Sequence, residues 1–226
     1  MLKLLSFKTQ VASNDGTRKV MGLSVESSGE RETDRLEAFS DGVFAFAITL
    51  LVLGLKDPTS GNNVSLFQGL LGEWPTFFAF VTSFTTILIM WMNHHNMFNY
   101  IRRVDREFML LNGTLLLFVT LTPFTTLLVA SHILSSDAKT AAVVYSGEFF
   151  LLAIAWNILW RYASGQGKLL GKDVATSQVR TITRQYWVAP LFYSLALVIA
   201  FFSALASVVT IILVAAFYAI TATMSE

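Results

Sequence analysis

The sequence predicts an all-α integral membrane protein with six transmembrane helices per chain, and three observations lead to this prediction. Apolar residues make up 54% of the 226 residues and charged residues only 14%, which does not suit a surface exposed to water. The apolar residues are gathered into stretches of about 20, the length with which an α-helix crosses a hydrocarbon core about 30 Å thick. Between these stretches, segments rich and poor in Lys and Arg alternate.

Four stretches satisfy this length, and they run over residues 35–55, 66–92, 108–132 and 140–162. In the second, Trp74 and Pro75 suit a first turn at the membrane interface, because a proline there loses no hydrogen bond. In the third, Pro123 removes one backbone donor and predicts a bend. Apart from Arg161 at its end, the fourth contains one formal charge, Glu148. We predict that it pairs with a neighbouring helix or faces solvent near the outer side.

The last apolar segment, residues 185–225, carries no formal charge and is too long for one crossing. Two helices of about 17 residues fit it, so the sequence predicts a hairpin with a tight turn near residues 203–207. Lys and Arg number 6, 1, 3, 1, 5 and 0 in the successive segments outside the helices. Because these residues accumulate on the cytoplasmic side, both termini are predicted to be cytoplasmic. Five or seven helices would break the alternation at the C-terminal end.

Composition also restricts domain organisation and function. Residues 1–32, with their Ser, Gly and mixed charges, predict a flexible cytoplasmic N-terminal tail, and residues 33–226 a six-helix transmembrane domain. The net charge of +1 gives no reason to expect nucleic acid as a partner. Cysteine is absent, and we find no metal-ligand cluster, phosphate-binding loop or hydrolase motif. We therefore expect neither an enzyme, nor a cofactor, nor a bound metal.

The first helix carries polar residues that need partners inside a membrane, since an unpaired polar group in hydrocarbon costs several kcal/mol. Ser40 and Asp41 lie about one to two turns beyond Arg35. If the helix begins at Ser40 and Asp41, these two residues could cap it. If the helix begins near Arg35 instead, they need buried partners, and the second helix ends with Trp91 and His94 at the same depth. This second alternative predicts a hydrogen-bonded cluster of Ser40, Asp41, Trp91 and His94.

Further along the first helix, Phe46, Thr49, Leu50 and Leu53 are spaced as i, i+3, i+4 and i+7 and share one face. We call these four residues the stripe. Such a pattern more often packs against another helix than lines a pore, so periodicity alone favours packing. Thr49 by itself does not decide between the two.

The run Arg35-xxx-Phe39-Ser40-Asp41 resembles the RxxxFSD signature that opens the first helix of the transmembrane protein 175 family, which comprises lysosomal and prokaryotic potassium channels. Two further groups resemble that family's second and third helices, namely Trp91, His94 and Phe98, and then Asn112, Pro123 and Phe124. The resemblance extends from about residue 35 to residue 128. It implies a prokaryotic member of the family in a bacterial plasma membrane.

The resemblance implies a potassium-selective cation channel that conducts passively through a central pore lined by the first helix of each subunit. Animal members carry two six-helix repeats and pair as dimers, so a chain with one repeat implies a homotetramer. By position, Phe46 forms an apolar constriction with Leu50 and Leu53 further outward, and Thr49 contributes to potassium preference. Phe46 departs from the family pattern, which has a branched aliphatic residue there. The residues implied to form a structural network behind the pore are Arg35, Phe39, Ser40, Asp41, Trp91 and His94.

Two other functions compete with this interpretation. A proton- or cation-coupled secondary transporter could use Asp41, His94 and Glu148 as relay groups, although the paired broken helices of such proteins are not evident in the sequence. A membrane scaffold without transport activity would use its polar residues only to lock the helices together. In the channel interpretation, the partners are the lipid bilayer, permeating potassium ions and three further copies of the chain.

Overall fold

The computed structural model describes residues 31–55, 57, 65–165 and 169–223, and in these ranges the chain is helical apart from turns, loops and one isolated bridge. The helices are α1 (Arg31–Gly54), α2 (Leu66–Gly72), α3 (Trp74–Phe98), α4 (Arg106–His132), α5 (Ala138–Gly165), α6 (Thr176–Ala200) and α7 (Ala204–Thr223). The tail predicted over residues 1–32 lies outside the described residues except for Arg31 and Glu32, which already belong to α1.

Four of these helices, α1, α3, α4 and α5, are long and apolar enough to cross a membrane. This confirms the all-helical prediction for the described part of the chain. The helix α6 has 25 residues but includes Arg180 and Arg184 near its start. A total of six crossings therefore stays a prediction.

The helix α1 is already helical at Arg31, so Ser40 and Asp41 lie well inside it. The alternative in which these two residues cap the helix is therefore wrong. The Ser40 hydroxyl instead donates to the carbonyl of Leu36, 2.8 Å away and one turn earlier. The last turn of α1, Leu51–Gly54, tightens into a 3₁₀ helix.

The predicted second helix is interrupted at Glu73, where α2 ends and α3 begins. Pro75 explains the break, because its ring would clash with the carbonyl four residues earlier and it has no N–H to donate. It occupies the first turn of α3, where neither penalty applies. The helix then continues to Phe98, beyond the predicted end at Met92.

The helices α4 and α5 lie close to their predicted positions. Asp105 begins α4 by accepting a hydrogen bond from the backbone N–H of Phe108 at 2.8 Å, the usual way of satisfying a free donor at a helix start. The helix continues through Pro123 without ending. Half or more of the most apolar window of α5 is buried, and α5 packs against α4, α6 and α7.

The predicted C-terminal hairpin is present as α6 and α7, joined by a turn at residues 201–203. The helix α6 starts at Thr176, earlier than predicted, because its first two turns lie outside the apolar run. Ser207 of α7 donates to the carbonyl of Ala196 at 2.8 Å and lies 2.6 Å from Ser146 of α5. These bonds join the hairpin to the centre of the bundle.

Two loops that the charge count places on the same side of the membrane meet in the structure. The backbone N–H groups of Arg102 and Arg103 donate to the carbonyl of Leu169, and Gly171 N–H donates to the carbonyl of Tyr100. The loop after α3 and the loop before α6 therefore lie at one end of the bundle.

A polar cluster behind an exposed face of α1

Three helices meet at a buried amide, the side chain of Asn112 in α4. Its Nδ2 donates to Ser40 Oγ of α1 at 2.9 Å, and its Oδ1 lies 2.9 Å from His94 Nε2 of α3. All three side chains are completely buried. In this arrangement His94 Nε2 carries the hydrogen, because a carbonyl oxygen can only accept. One amide thus joins α1, α3 and α4 by hydrogen bonds.

A second hydrogen bond lies beside this amide and joins α3 to α1. The indole Nε1 of Trp91 donates to Asp41 Oδ1 at 2.8 Å in a half-buried position. We call Ser40, Asp41, Trp91, His94 and Asn112 together the polar cluster.

The ring of His94 is enclosed by aromatic side chains. Phe44 of α1, Phe98 of α3 and Trp156 of α5 lie with ring centroids 5.2, 4.6 and 6.1 Å away. Among the described residues, nothing bonds its second nitrogen, Nδ1. The histidine is therefore held by packing and by a single hydrogen bond.

The four residues of the predicted cluster form two neighbouring sets: Asp41 bonds Trp91, and Ser40 and His94 are linked through Asn112, which was known only as part of the resemblance. A lone amide in the apolar run of α4 was the available signal. Arg35 and Phe39 do not join them: both are exposed, and Phe39 shows 63% of its surface. Two residues along the chain from Arg35, Glu37 Oε1 lies 2.8 Å from His95 Nδ1.

The stripe lies on the opposite side of α1 from the core. Phe46 and Leu53 are 62% and 73% exposed, Thr49 is exposed and Leu50 is half-buried. The core face of the same helix carries Phe44, Ala47 and Leu51, all nearly or completely buried. The exposed members of the stripe, Phe46, Thr49 and Leu53, therefore lie outside the buried core of their own chain.

The hydroxyl of Thr49 donates to the carbonyl of Phe46 at 2.8 Å. Its single hydrogen is used in this bond, so the oxygen presents lone pairs to its surroundings. Leu50 and Leu53 continue outward and line a groove of about 250 Å³ between the end of α1 and the helices α3 and α4.

Glu148 is buried between α5 and α4, with one carboxyl oxygen near Thr122 and the other near Thr125. Of the two predicted environments, pairing with a neighbouring helix is correct and solvent exposure is wrong. Over the ranges that the structure describes, no three His, Cys, Asp or Glu side chains come together in a way that could hold a metal ion.

Comparison with known proteins identifies the family. Residues 35–123 match the family model described as the endosomal/lysosomal potassium channel TMEM175. A protein of Chamaesiphon minutus named as a potassium channel is 43% identical over 198 residues, which is 87% of this chain and 98% of that protein. A potassium channel of Streptomyces collinus is 40% identical over 76% of this chain and 84% of its own length.

The same fold has been solved in a relative. The crystal structure of a lysosomal potassium-selective channel TMEM175 homologue from Chamaesiphon minutus superimposes with a TM-score of 0.78 at 42% identity, and the match covers 85% of this chain and 99% of that one. The apolar helices and these relatives together make this chain an integral membrane protein. It belongs to the TMEM175 family, whose members are ion channels and not enzymes.

Proposed function

We propose that this chain is a potassium-selective cation channel whose pore is lined by α1 from four identical subunits. The observation that carries the proposal is the division of α1 into two faces. One face is buried in its own subunit, and the other carries two large apolar side chains that are each more than 60% exposed. The potassium channels named among the relatives support the same function.

A single helix cannot enclose a pathway for ions, so several copies of α1 must surround it. Four copies related by a rotation axis would place each stripe against the axis and each polar cluster behind it. Six crossings per chain, with both termini in the cytoplasm of a bacterium, fit the alternation of Lys and Arg. In this assembly, residues 33–226 form the channel domain and residues 1–32 a cytoplasmic tail.

The constriction is formed by Phe46, with Leu50 and Leu53 further outward. A narrow apolar ring excludes water, so an ion would have to pass without its hydration shell. Widening the ring restores water and permits flow. Conduction is passive, with potassium as the permeating ion and no cofactor.

Thr49 contributes to potassium preference. Its hydroxyl hydrogen is held by the carbonyl of Phe46, which directs the oxygen lone pairs away from the helix backbone. Four such oxygens around the axis would present acceptors to a partly dehydrated cation.

The polar cluster fixes the rotation of α1 and does not contact ions. Ser40 and Asp41 are each bonded to another helix of the same subunit, so turning α1 about its axis would break both bonds. The resemblance to the family gives Arg35 and Phe39 the same structural role. As they are exposed in the single chain, we assign them to contacts between subunits.

The decisive experiment is potassium flux into liposomes that contain the purified protein, measured with and without a proton gradient. A channel gives rapid flux that follows the membrane potential and ignores the proton gradient. Strict dependence on that gradient would establish a coupled transporter in its place. Absence of flux from assembled protein, in liposomes that fill when a potassium ionophore is added, would leave only the scaffold interpretation.

A further inference from the structure

Glu148 carries its carboxyl group within a membrane-spanning helix, and only 6% of the residue's surface is exposed. Thr122 Oγ1 lies 2.8 Å from Oε1, and Thr125 Oγ1 lies 2.8 Å from Oε2. Both hydroxyls come from α4. In the part of the chain that the structure describes, no Lys, Arg or His pairs with this carboxyl. A buried carboxylate without a cation is costly, and such groups commonly take up a proton.

The hydroxyl of Thr125 has a second possible partner. Its Oγ1 lies 3.2 Å from the backbone carbonyl of Thr122, in addition to its contact with Glu148. A hydroxyl carries one hydrogen and can also accept. When Glu148 is ionised, Thr125 donates its hydrogen to Oε2. When Oε2 carries a proton, the carboxyl donates to Thr125 Oγ1, and Thr125 turns its own hydrogen to the carbonyl of Thr122.

Both protonation states therefore keep a hydrogen bond on each carboxyl oxygen without movement of any heavy atom. Thr122 donates to Oε1 in either state. We propose that Glu148, Thr122 and Thr125 form a reversible proton-binding site inside the bundle. The ligand is a proton, and the site is independent of whether the chain conducts potassium.

The surroundings of the carboxyl contain no competing charge within the described residues. The titratable groups that interact with it are two phenols, Tyr145 of α5 and Tyr193 of α6. Its hydrogen-bond partners from α4 are two hydroxyl groups, and α7 carries no charged residue. Among the described residues, no hydrogen bond joins Glu148 to the polar cluster around Asn112. The site is thus separate from the residues that support α1.

One helix, α4, separates the site from α1. Thr122 and Thr125 flank Pro123, and on the other side of this segment Phe124 and Leu127 line the groove beside the last turn of α1. A methyl group in place of the Gly54 hydrogen would lie 3.5 Å from Leu127 Cδ1, so the two residues are neighbours. Any effect of the proton on conduction rests on the proposed function, whereas proton binding itself does not.

Infrared difference spectroscopy of the reconstituted protein tests the site. We expect the C=O stretching band of a protonated carboxyl in acidic buffer, its loss as the pH is raised, and its absence from Glu148→Gln. In Thr125→Val the ionised carboxylate loses the hydroxyl that donates to Oε2, so the band of the protonated carboxyl should persist to higher pH. In Thr125→Ser the hydroxyl is kept, and the band should disappear over the same pH range as in the wild type. A band that does not change with pH, or that persists in Glu148→Gln, overturns the proposal.

Carbodiimide labelling gives a second test that does not require the Gln variant to fold. Dicyclohexylcarbodiimide enters hydrocarbon and reacts with a protonated carboxyl: the proton goes to a carbodiimide nitrogen, the carboxyl oxygen bonds the central carbon, and rearrangement leaves a stable acylurea. Mass spectrometry should find the adduct on Glu148 in acidic buffer, decreasing with rising pH, and not on the exposed Glu107. Folded protein that remains unlabelled on Glu148 at every pH contradicts the proposal.

Discussion

The first half of α1, with Ser40 and Asp41, and its second half, with Phe46 and Leu53, differ in where their side chains find partners. Ser40 and Asp41 bond to side chains of α3 and α4 in the same subunit. Phe46 and Leu53, about one and a half to three and a half turns further along, are largely exposed and do not belong to the buried core of their own chain. The same helix therefore has one region that is completed within the subunit and one that is not.

This difference shows how the chain separates folding from function. Polar groups in a membrane must be paired internally, so the polar cluster can form only if α1 has the correct rotation. That rotation leaves the stripe facing outward. A stripe that is exposed in the single chain meets lipid, another subunit or water, and in the proposed tetramer it meets the water column of the pore.

The sharpest test compares two phenylalanines on opposite faces of α1. Phe44→Ala should lower the free energy of unfolding by about 3–5 kcal/mol, since it opens a cavity against His94. Phe46→Ala removes the same atoms from an exposed position and should change the free energy of unfolding by less than about 1 kcal/mol. Unfolding in detergent, followed by circular dichroism, measures both. Equal losses would show that the two faces are not distinct.

The next test removes the amide that joins three helices. Asn112→Leu keeps the approximate volume of the side chain but leaves both ring nitrogens of His94 without a partner and removes the donor to Ser40. We expect a loss of about 1–3 kcal/mol in the free energy of unfolding and less of the proposed tetramer on size-exclusion chromatography. Asn99→Leu is the matched control, because Asn99 is exposed after α3. If both variants behave alike, the amide does not organise the bundle.

The sequence predicts the fold well where composition is decisive. Apolar length locates α1, α3, α4 and α5 and the C-terminal hairpin, although the turn of that hairpin lies at residues 201–203 and not at the predicted residues 203–207. Trp74 and Pro75 are predicted to suit a first turn, which is confirmed, but the predicted stretch starts at residue 66, without the break at Glu73. Both the continuous and the broken helix satisfy the same hydropathy, and only the clash of the Pro75 ring with the preceding turn decides between them.

The site could be predicted only in part for a related reason. Spacing along one helix shows which residues share a face, and therefore it identified the stripe. It does not show which residues of distant helices meet, so the central role of Asn112 and the two hydroxyl partners of Glu148 became visible only in three dimensions. Arg35 and Phe39, grouped with the cluster by their place in a motif, find no partner among the described residues.

A third test addresses the exposed region through its proposed function. Phe46→Ala should raise basal potassium conductance roughly tenfold, which corresponds to lowering the dewetting barrier by about 1.4 kcal/mol. The tetramer should still assemble. Currents from planar bilayers measure the change, and Phe202→Ala, exposed in the turn between α6 and α7, should leave them at the wild-type level. Wild-type currents from assembled Phe46→Ala protein would exclude Phe46 as the constriction.

The smallest expected effect separates the hydroxyl of Thr49 from the bulk of its side chain. Thr49→Val has nearly the same shape but no oxygen, so it should reduce the preference for potassium over sodium roughly two- to tenfold, the equivalent of about 0.5–1.4 kcal/mol. Reversal potentials under opposing potassium and sodium gradients measure this ratio. Thr49→Ser keeps the oxygen and its bond to the carbonyl of Phe46, and should retain the preference. If Thr49→Val leaves the reversal potential unaltered, the exposed hydroxyl does not face the ion, and the outward region of α1 contributes apolar surface alone.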